Sequence, residues 1–226
     1  MRHPLLVAVV ATLGLAVCGC STASSDPASS TSEPVPSTTV PSGWERRDDP
    51  FAPVSYALPS RFVEIDTDAI ASGELAAPQE WRTAARYFDT SVTEMAEYNA
   101  TITALARGTR ADGGFMTFDY LTSIPVTGYP RATAEELDGV EEDLRVDGLD
   151  TYRDVSDAVE MPSGVGRVAV LYRSLVDSGA LGGPRTWEAL ILLRHPQGGR
   201  VMSLQMRYED ELRELTDDFV ASLRPA

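Results

Sequence analysis

Apolar and polar residues alternate over several short segments of the chain, a pattern that predicts β-strands. The alternation is clearest near the C-terminus, where polar residues separate Met202, Leu204 and Met206, so one face of this strand is expected to meet a core. Short links rich in Pro and Gly join the later segments, and such links require antiparallel neighbours. The predicted strands are Pro53 to Leu58, Arg61 to Ile65, Phe115 to Leu121, Tyr152 to Met161, Gly166 to Ser174, Trp187 to Arg194 and Arg200 to Tyr208.

Other segments repeat apolar residues at spacings of three and four, which predicts helices. Thr133 and Glu136 form the sequence pattern of a capping box, which starts one of these helices. Together the elements predict an α+β fold, with an antiparallel sheet of about six strands covered by helices. The predicted helices are a pair from Glu80 to Phe88 and through Val92, Met95, Tyr98, Ile102 and Leu105 to Gly108, a short helix with Leu137, Val140 and Leu144, and a last helix with Leu212, Leu215, Phe219 and Leu223.

The first residues have the organisation of an export signal. Arg2 supplies a positive charge, and Leu5 to Val17 form an apolar run shorter than the ~20 residues that span a bilayer. The run leads to Gly19 and Cys20, which resemble the cleavage site of a bacterial lipoprotein signal. In such signals a small residue precedes a cysteine that is acylated on sulfur and becomes the new N-terminus. We therefore predict a lipid anchor at Cys20.

Two other interpretations of this segment stay open. Lipidation at Cys18 would place Val17, which is bulkier than the small residue preferred there, at the cleavage position. An ordinary signal peptide cut near Ala23 would instead leave a soluble secreted protein.

An anchor at Cys20 divides the chain into three parts. Residues 1–19 are the signal peptide, residues 20–43 are the lipidated cysteine and a disordered Ser/Thr/Pro tether, and residues 44–226 are one globular domain. The tether has too few apolar residues to fold, and as a flexible coil it spans roughly 25 Å. The domain is therefore expected on the extracytoplasmic face of the cell membrane, held there by a diacylglyceryl and palmitoyl anchor.

Composition narrows the chemistry that the chain can perform. It has 34 Asp and Glu against 19 Arg and Lys, and a formal net charge of −15, which argues against nucleic acid and against broad docking onto anionic lipid. Cleavage and acylation would leave His195 as the only imidazole and no free thiol, so we predict no metal and no cofactor. His195 follows an apolar run and precedes a turn, which favours an exposed strand-end histidine over a catalytic base.

Two short motifs fail because of their surroundings. The segment Gly164 to Ala169 loosely matches a dinucleotide-binding fingerprint, but it opens onto a predicted strand, where that motif needs a helix. We interpret it as a turn between strands. The segment Asp66 to Asp68 begins like a calcium loop, but Ile70 and Ala71 occupy positions that need an oxygen ligand and a glycine. We interpret it as a solvated loop.

Two segments carry a resemblance to a known superfamily. The early run Val54-Ser55-Tyr56-Ala57-Leu58-Pro59-Ser60-Arg61-Phe62 resembles the opening of PsbP-like domains, and Glu211 to Leu215 with Phe219 to Arg224 resembles their closing helix. With its anchor and tether, the whole chain resembles LpqN-type actinobacterial lipoproteins. The resemblance implies an α-β-α sandwich that serves as a binding or assembly module, without catalytic residues to carry over.

These observations leave two functional classes. We expect a non-catalytic binding or accessory module of the cell envelope, whose partner is an envelope protein or a hydrophobic small molecule. The alternative is a carboxylate-based envelope hydrolase acting on glycans, which would need adjacent acids in a cleft, one with a raised pKa. An exposed apolar patch would favour binding. The candidate interaction region is Phe118, Tyr120, Ile124 and Tyr129, and ordinary core packing of these side chains is the simpler alternative.

Overall fold

The computed structural model describes residues 40–50, 52–110, 116–126, 133–139, 152–175, 186–195 and 198–226. These residues form an α+β fold in which helices cover an antiparallel sheet, as the sequence predicted. The predicted signal peptide and Cys20 lie outside the described residues, as do Tyr129, Val140 and Leu144. Among the residues described, no helix has both the length and the apolar character needed to span a membrane.

The chain contains more strands than the sequence predicted, because Trp44–Asp48, Ile102–Arg110 and Arg224–Pro225 are also strands and one predicted strand is divided in two. The strands are β1 (Trp44–Asp48), β2 (Val54–Pro59), β3 (Val63–Glu64), β4 (Ile102–Arg110), β5 (Met116–Val126), β6 (Tyr152–Arg153), β7 (Val159–Ser163), β8 (Gly166–Leu175), β9 (Thr186–His195), β10 (Gly198–Met206) and β11 (Arg224–Pro225). The helices are α1 (Thr67–Ser72), α2 (Gln79–Tyr87), α3 (Val92–Tyr98), α4, described over 134–139, and α5 (Glu209–Ser222).

The strands form two antiparallel sheets. The main sheet has the order β3-β4-β5-β10-β9-β8-β6, and β7 also pairs with β8. The second sheet has the order β1-β2-β11, so the first and last strands of the described chain flank β2. The β7–β8 and β9–β10 connections are short hairpins, which is why these neighbours are antiparallel.

One face of the main sheet, which we call the α5 face, packs against α5 and the second sheet. Met202, Leu204 and Met206 of β10 lie on this face and are buried, as the alternation predicted. The predicted stripe of the last helix is also confirmed, since its four residues are buried in the same core. The rings of Tyr56 in β2 and Phe219 in α5 have centroids 5.2 Å apart, which joins the second sheet to the helix.

The opposite face, which we call the helical face, carries two separate clusters. The first lies between α1, α2 and α3 and the strands β3 to β5, and Trp81 of α2 is fully buried in it. The second joins Leu137 of α4 to β8, β9 and β10. The predicted capping box of α4 is confirmed, because the Glu136 backbone N–H donates to Thr133 Oγ1 at 3.2 Å and Glu136 accepts from the Thr133 backbone N–H at 2.9 Å.

The prediction that the second helix continues through Ile102 and Leu105 is wrong. Helix α3 ends at Tyr98, and Ile102 and Leu105 belong to β4. A β-bulge lies between Ile102 and Ala104, so that Ile102 pairs with Thr122 and Leu105 pairs with Tyr120. The extra residue places Ile102 and Leu105 on the same face of the sheet despite their odd separation. Their spacing of three residues therefore matched the apolar spacing of a helix, although both residues lie in a strand.

Other predictions near turns need correction. The predicted strand from Tyr152 to Met161 is two strands, β6 and β7, because Asp154 has φ of 51° and interrupts the extended backbone. The segment beginning at Asp66 is not a solvated loop but the start of α1, where Asp66 Oδ1 accepts a hydrogen bond from the Ala69 backbone N–H at 2.9 Å. The turn predicted after Gly164 is confirmed, because it joins β7 to β8.

Candidate functional site

The residues of the predicted interaction region have different positions. Phe118, Tyr120 and Ile124 belong to β5, with Tyr120 opposite Gln205 of β10 in the register. Phe118 is buried and packs in the cluster under α1, α2 and α3, and Tyr120 is half-buried. Tyr129 and the lipid-attachment residue Cys20 lie outside the described part of the chain.

Phe118 lies beneath two exposed aromatic rings at the end of α2. Its ring centroid is 6.0 Å from that of Tyr87 and 5.9 Å from that of Phe88, and Tyr87 and Phe88 are 5.1 Å apart. Tyr87 is 39% exposed and Phe88 is 36% exposed. We call Tyr87, Phe88 and Phe118 the aromatic cluster. It joins the predicted interaction region to the surface of the helical layer.

The sequence of α2 explains why these rings are exposed. Trp81, Ala84 and Ala85 form the buried stripe of the helix. The helix ends after Tyr87, and the Thr90 backbone N–H then donates to the Ala85 carbonyl at 3.0 Å across a turn in which Asp89 has φ of 53°. Phe88 lies on the outside of this turn.

A hollow of about 410 Å³ lies between α2 and the start of α3. Its position is fixed by Trp81, whose indole N–H donates to the Val92 carbonyl at 3.2 Å. Ser91 caps α3 by accepting from the Glu94 backbone N–H at 3.0 Å. The residues that line the hollow are Arg82, Ala85, Arg86, Thr90, Ser91 and Val92.

The two arginines of the hollow are exposed and bind backbone oxygens. Arg82 donates to the Ala77 carbonyl, and Arg86 Nε donates to the Arg82 carbonyl at 3.2 Å. The carboxylate of Glu94 accepts a hydrogen bond from Thr90 Oγ1 at 3.1 Å. The hollow therefore combines two guanidinium groups and two hydroxyl side chains.

A second polar arrangement crosses the helical face of the main sheet. Its four residues lie directly opposite one another on neighbouring strands. They are Tyr120 on β5, Gln205 on β10, Glu188 on β9 and Arg173 on β8. The Tyr120 hydroxyl donates to Gln205 Oε1, and Arg173 Nε donates to Glu188 Oε2 at 2.7 Å. Thr122, on the same face, has a buried hydroxyl oxygen without a hydrogen-bond partner. This row is a largely self-satisfied network, which stabilises the arrangement of the strands.

The three buried carboxylates among the described residues each bind an arginine. Because these contacts neutralise the carboxylates, they are structural ion pairs, and a carboxylate held in this way is a poor general acid or base. The pairs are Asp49 with Arg200 at 3.6 Å, Asp119 with Arg61 at 2.5 Å and Glu188 with Arg173 at 2.7 Å.

Two acids have raised pKa values. Burial raises the pKa of Asp119, and the hydrogen bond and charge of Arg61 oppose this effect. Partial burial and the neighbouring Asp218 raise the pKa of Asp217 in α5. Asp217 lies near Tyr172 of β8, whose pKa its charge helps to raise. Asp119 belongs to β5 and Asp217 to α5, and neither carboxyl group contributes to the raised pKa of the other, so the two acids do not form a coupled pair of the kind a glycosidase uses.

The remaining candidates for chemistry are few in the described ranges. His195 ends β9, opposite Gly198 in the hairpin to β10. Over these same ranges, no three His, Cys, Asp or Glu side chains are placed to hold a metal ion. Comparison with known proteins adds no assignment, because neither a family model nor a curated protein matches the sequence.

Proposed function

We propose that the chain is a membrane-anchored, extracytoplasmic lipoprotein, of the LpqN type, that acts as a non-catalytic binding or accessory module in the cell envelope. The observation that carries the binding role is the aromatic cluster, in which Tyr87 and Phe88 expose more than a third of their surface. Exposed aromatic side chains contribute large contact areas at little entropic cost, so they are enriched at binding surfaces.

The ion pairs support binding over the alternative of a carboxylate-based hydrolase. A glycosidase needs two carboxyl groups free to exchange protons or attack the substrate. Asp49, Asp119 and Glu188 are instead bound to arginines, and the two acids with raised pKa values belong to different elements, β5 and α5, without acting on each other's pKa.

The anchor is tested by changing the predicted attachment residue. We expect Cys20→Ser to move the protein from the membrane pellet to the soluble fraction, because an acyl chain contributes about 0.8 kcal/mol per buried methylene. The matched control is Cys18→Ser, which should leave the distribution unchanged. A pellet that retains the Cys20→Ser protein, or mass spectrometry showing an unmodified mature N-terminus, would refute lipidation at this position.

The binding surface is tested by crosslinking in the native envelope. A photo-reactive amino acid replaces Phe88 in the anchored protein, and a control replaces Val159, which is 48% exposed in β7. We expect products specific to position 88, identified by mass spectrometry of both protein and lipid. Identical products from both positions would show that Phe88 does not mark a binding surface.

A further inference from the structure

Arg82 and Arg86 form a like-charged pair on one side of α2. They are separated by one helical turn, which brings the Cβ atoms to about 5–6 Å and makes like charges repel. Both side chains are exposed, and their hydrogen bonds are to the Ala77 and Arg82 carbonyls. Among the contacts of the described residues, no carboxylate compensates either guanidinium.

Several other described arginines bind carboxylates. Arg61, Arg173 and Arg200 each do so, and the exposed Arg167 binds Glu160 at 3.0 Å, whereas Arg46 donates to Ser55 Oγ and the Ser222 carbonyl. A chain with 34 acidic residues can readily supply carboxylate partners. The hollow has two guanidinium groups and one nearby carboxylate, that of Glu94 on Thr90, and an anion bound there would relieve the repulsion between the two arginines.

The groups around this pair indicate which anion would fit. A guanidinium group presents a planar fork of donors that matches phosphate oxygens, and the Ser91 hydroxyl also lines the hollow, whereas the Thr90 hydroxyl donates to Glu94. Its volume of about 410 Å³ falls within the range of small-molecule sites. Tyr87 and Phe88 follow Arg86 directly in the chain and offer exposed apolar surface. An anion attached to an apolar body would contact both parts.

We propose that this hollow binds the phosphate headgroup of an anionic phospholipid, with the lipid chains against Tyr87 and Phe88. One pair of arginines accommodates one headgroup, and the net charge of −15 opposes adhesion of the whole domain to an anionic surface. The inference deepens the proposed function, on which it rests for the use of the aromatic cluster as a binding surface. It does not require the anchor at Cys20.

The test uses the chain from residue 20 onward with Cys20→Ser, so that no acyl chain contributes. Dihexanoyl phosphatidylglycerol, kept below its micellar concentration, is titrated by calorimetry, and we expect saturable binding. The double variant Arg82→Gln/Arg86→Gln should bind at least about 10-fold more weakly, since each charge-assisted contact is lost. The matched control is Arg167→Gln, an exposed arginine whose side chain is 58% exposed, and it should bind as the parent does.

Three further titrations distinguish the contribution of the two arginines from that of the aromatic side chains. Inorganic phosphate should bind more weakly than the lipid but with the same dependence on the two arginines. Phe88→Ser should weaken binding of the lipid and leave binding of phosphate unchanged. Arg82→Lys/Arg86→Lys keeps the charge without the fork, and its affinity should lie between those of the parent and the Gln variant. Circular dichroism and the thermal midpoint show that each variant is folded.

Several results would overturn the inference. These are an absence of saturable binding, equal binding by the parent and the folded double Gln variant, equal affinity for dihexanoyl phosphatidylcholine, and equal affinities for lipid and inorganic phosphate. Failure of the anchor would appear only in the fractionation experiment, and failure of the aromatic surface would appear in both the crosslinking and the Phe88→Ser titration, whereas failure of the arginine contacts would appear only in the titrations of the Arg82 and Arg86 variants. The outcomes are therefore distinguishable.

Discussion

The buried pair of Arg200 and Asp49 provides the sharpest test of how the two sheets are held together. Only 6% of the Arg200 side chain and 1% of the Asp49 side chain are exposed. Ser123 Oγ lies between them, accepting from Arg200 Nε at 2.6 Å and donating to Asp49 Oδ2 at 2.6 Å. Asp49 follows β1 of the second sheet, and the other two residues belong to the main sheet.

Replacing Arg200 by Met leaves the Asp49 carboxylate buried without its cation. Breaking a buried pair in this way destabilises a protein by about 3–5 kcal/mol. For a domain of this size, each kcal/mol corresponds to about 2–4 °C, so the thermal midpoint should fall by roughly 6 to 20 °C. The exposed pair of Arg167 and Glu160, with side chains 58% and 32% exposed, is the matched control. Arg167→Met should change stability by less than about 1 kcal/mol.

The assay is urea denaturation of the single and double variants, with equal slopes as the check for two-state unfolding. Adding Asp49→Leu to Arg200→Met removes the stranded charge, and we expect it to recover at least about 2 kcal/mol of the loss. If Arg200→Met lowers stability no more than Arg167→Met does, or if the second substitution recovers nothing, the burial of this pair does not control how the sheets are joined.

Three further predictions concern single positions. Gly164→Ala should destabilise the domain by about 1–3 kcal/mol, because an added Cβ would lie 2.2 Å from the Leu223 carbonyl oxygen. Ser222→Ala should lower the free energy of unfolding by about 1–3 kcal/mol, because the Ala57 backbone N–H, which donates to Ser222 Oγ at 2.8 Å, loses its acceptor. Burial raises the pKa of Asp119 above 3.8 in the folded state, so the folded protein binds this proton more readily than the unfolded one. The stability contributed by Asp119 should therefore rise as pH falls through its folded pKa towards 3.8, and Asp119→Asn should remove this component.

Each of these predictions has its own measurement. Denaturation at neutral pH tests the Gly164 and Ser222 variants, and unchanged midpoints would contradict the packing and hydrogen bonds described. The Asp119 prediction needs the difference in stability between the parent and the Asn variant across a pH series. A difference that does not vary with pH would show that this carboxyl group has the same pKa in both states.

The sequence was sufficient for elements whose signals are local. The stripe of α5 and the β9–β10 hairpin could be predicted because their apolar residues keep the period of one element throughout. The capping box at Thr133 and Glu136 is a signal contained within four residues. These features depend little on what the rest of the chain does.

Other features depend on tertiary structure and were missed. The bulge after Ile102 shifts the register of β4 and changes the apparent spacing of its buried residues. Strand β1 (Trp44–Asp48) has the sequence WERRD, without apolar alternation, and it is a strand because β2 pairs with it. Pairing with the neighbouring strand, and not the pattern within the segment itself, thus determined both outcomes.

The candidate site also combines features that the sequence shows with features that only the tertiary structure shows. The spacing of Arg82 and Arg86 on a predicted helix was visible in the sequence, but the lack of a nearby carboxylate was not. Phe118 could be predicted as part of an interaction region, whereas its contact with Tyr87 and Phe88 depends on how α2 crosses β5. Periodicity cannot supply contacts between residues so far apart in the chain.

The placement of β11 next to β2 bears on how the protein is made. Arg224 pairs with Ser55, and the Ala226 backbone N–H donates to the Pro53 carbonyl at 3.0 Å, so segments far apart in the sequence belong to one sheet. The core beneath that sheet therefore cannot close until residues 224–226 have been synthesised.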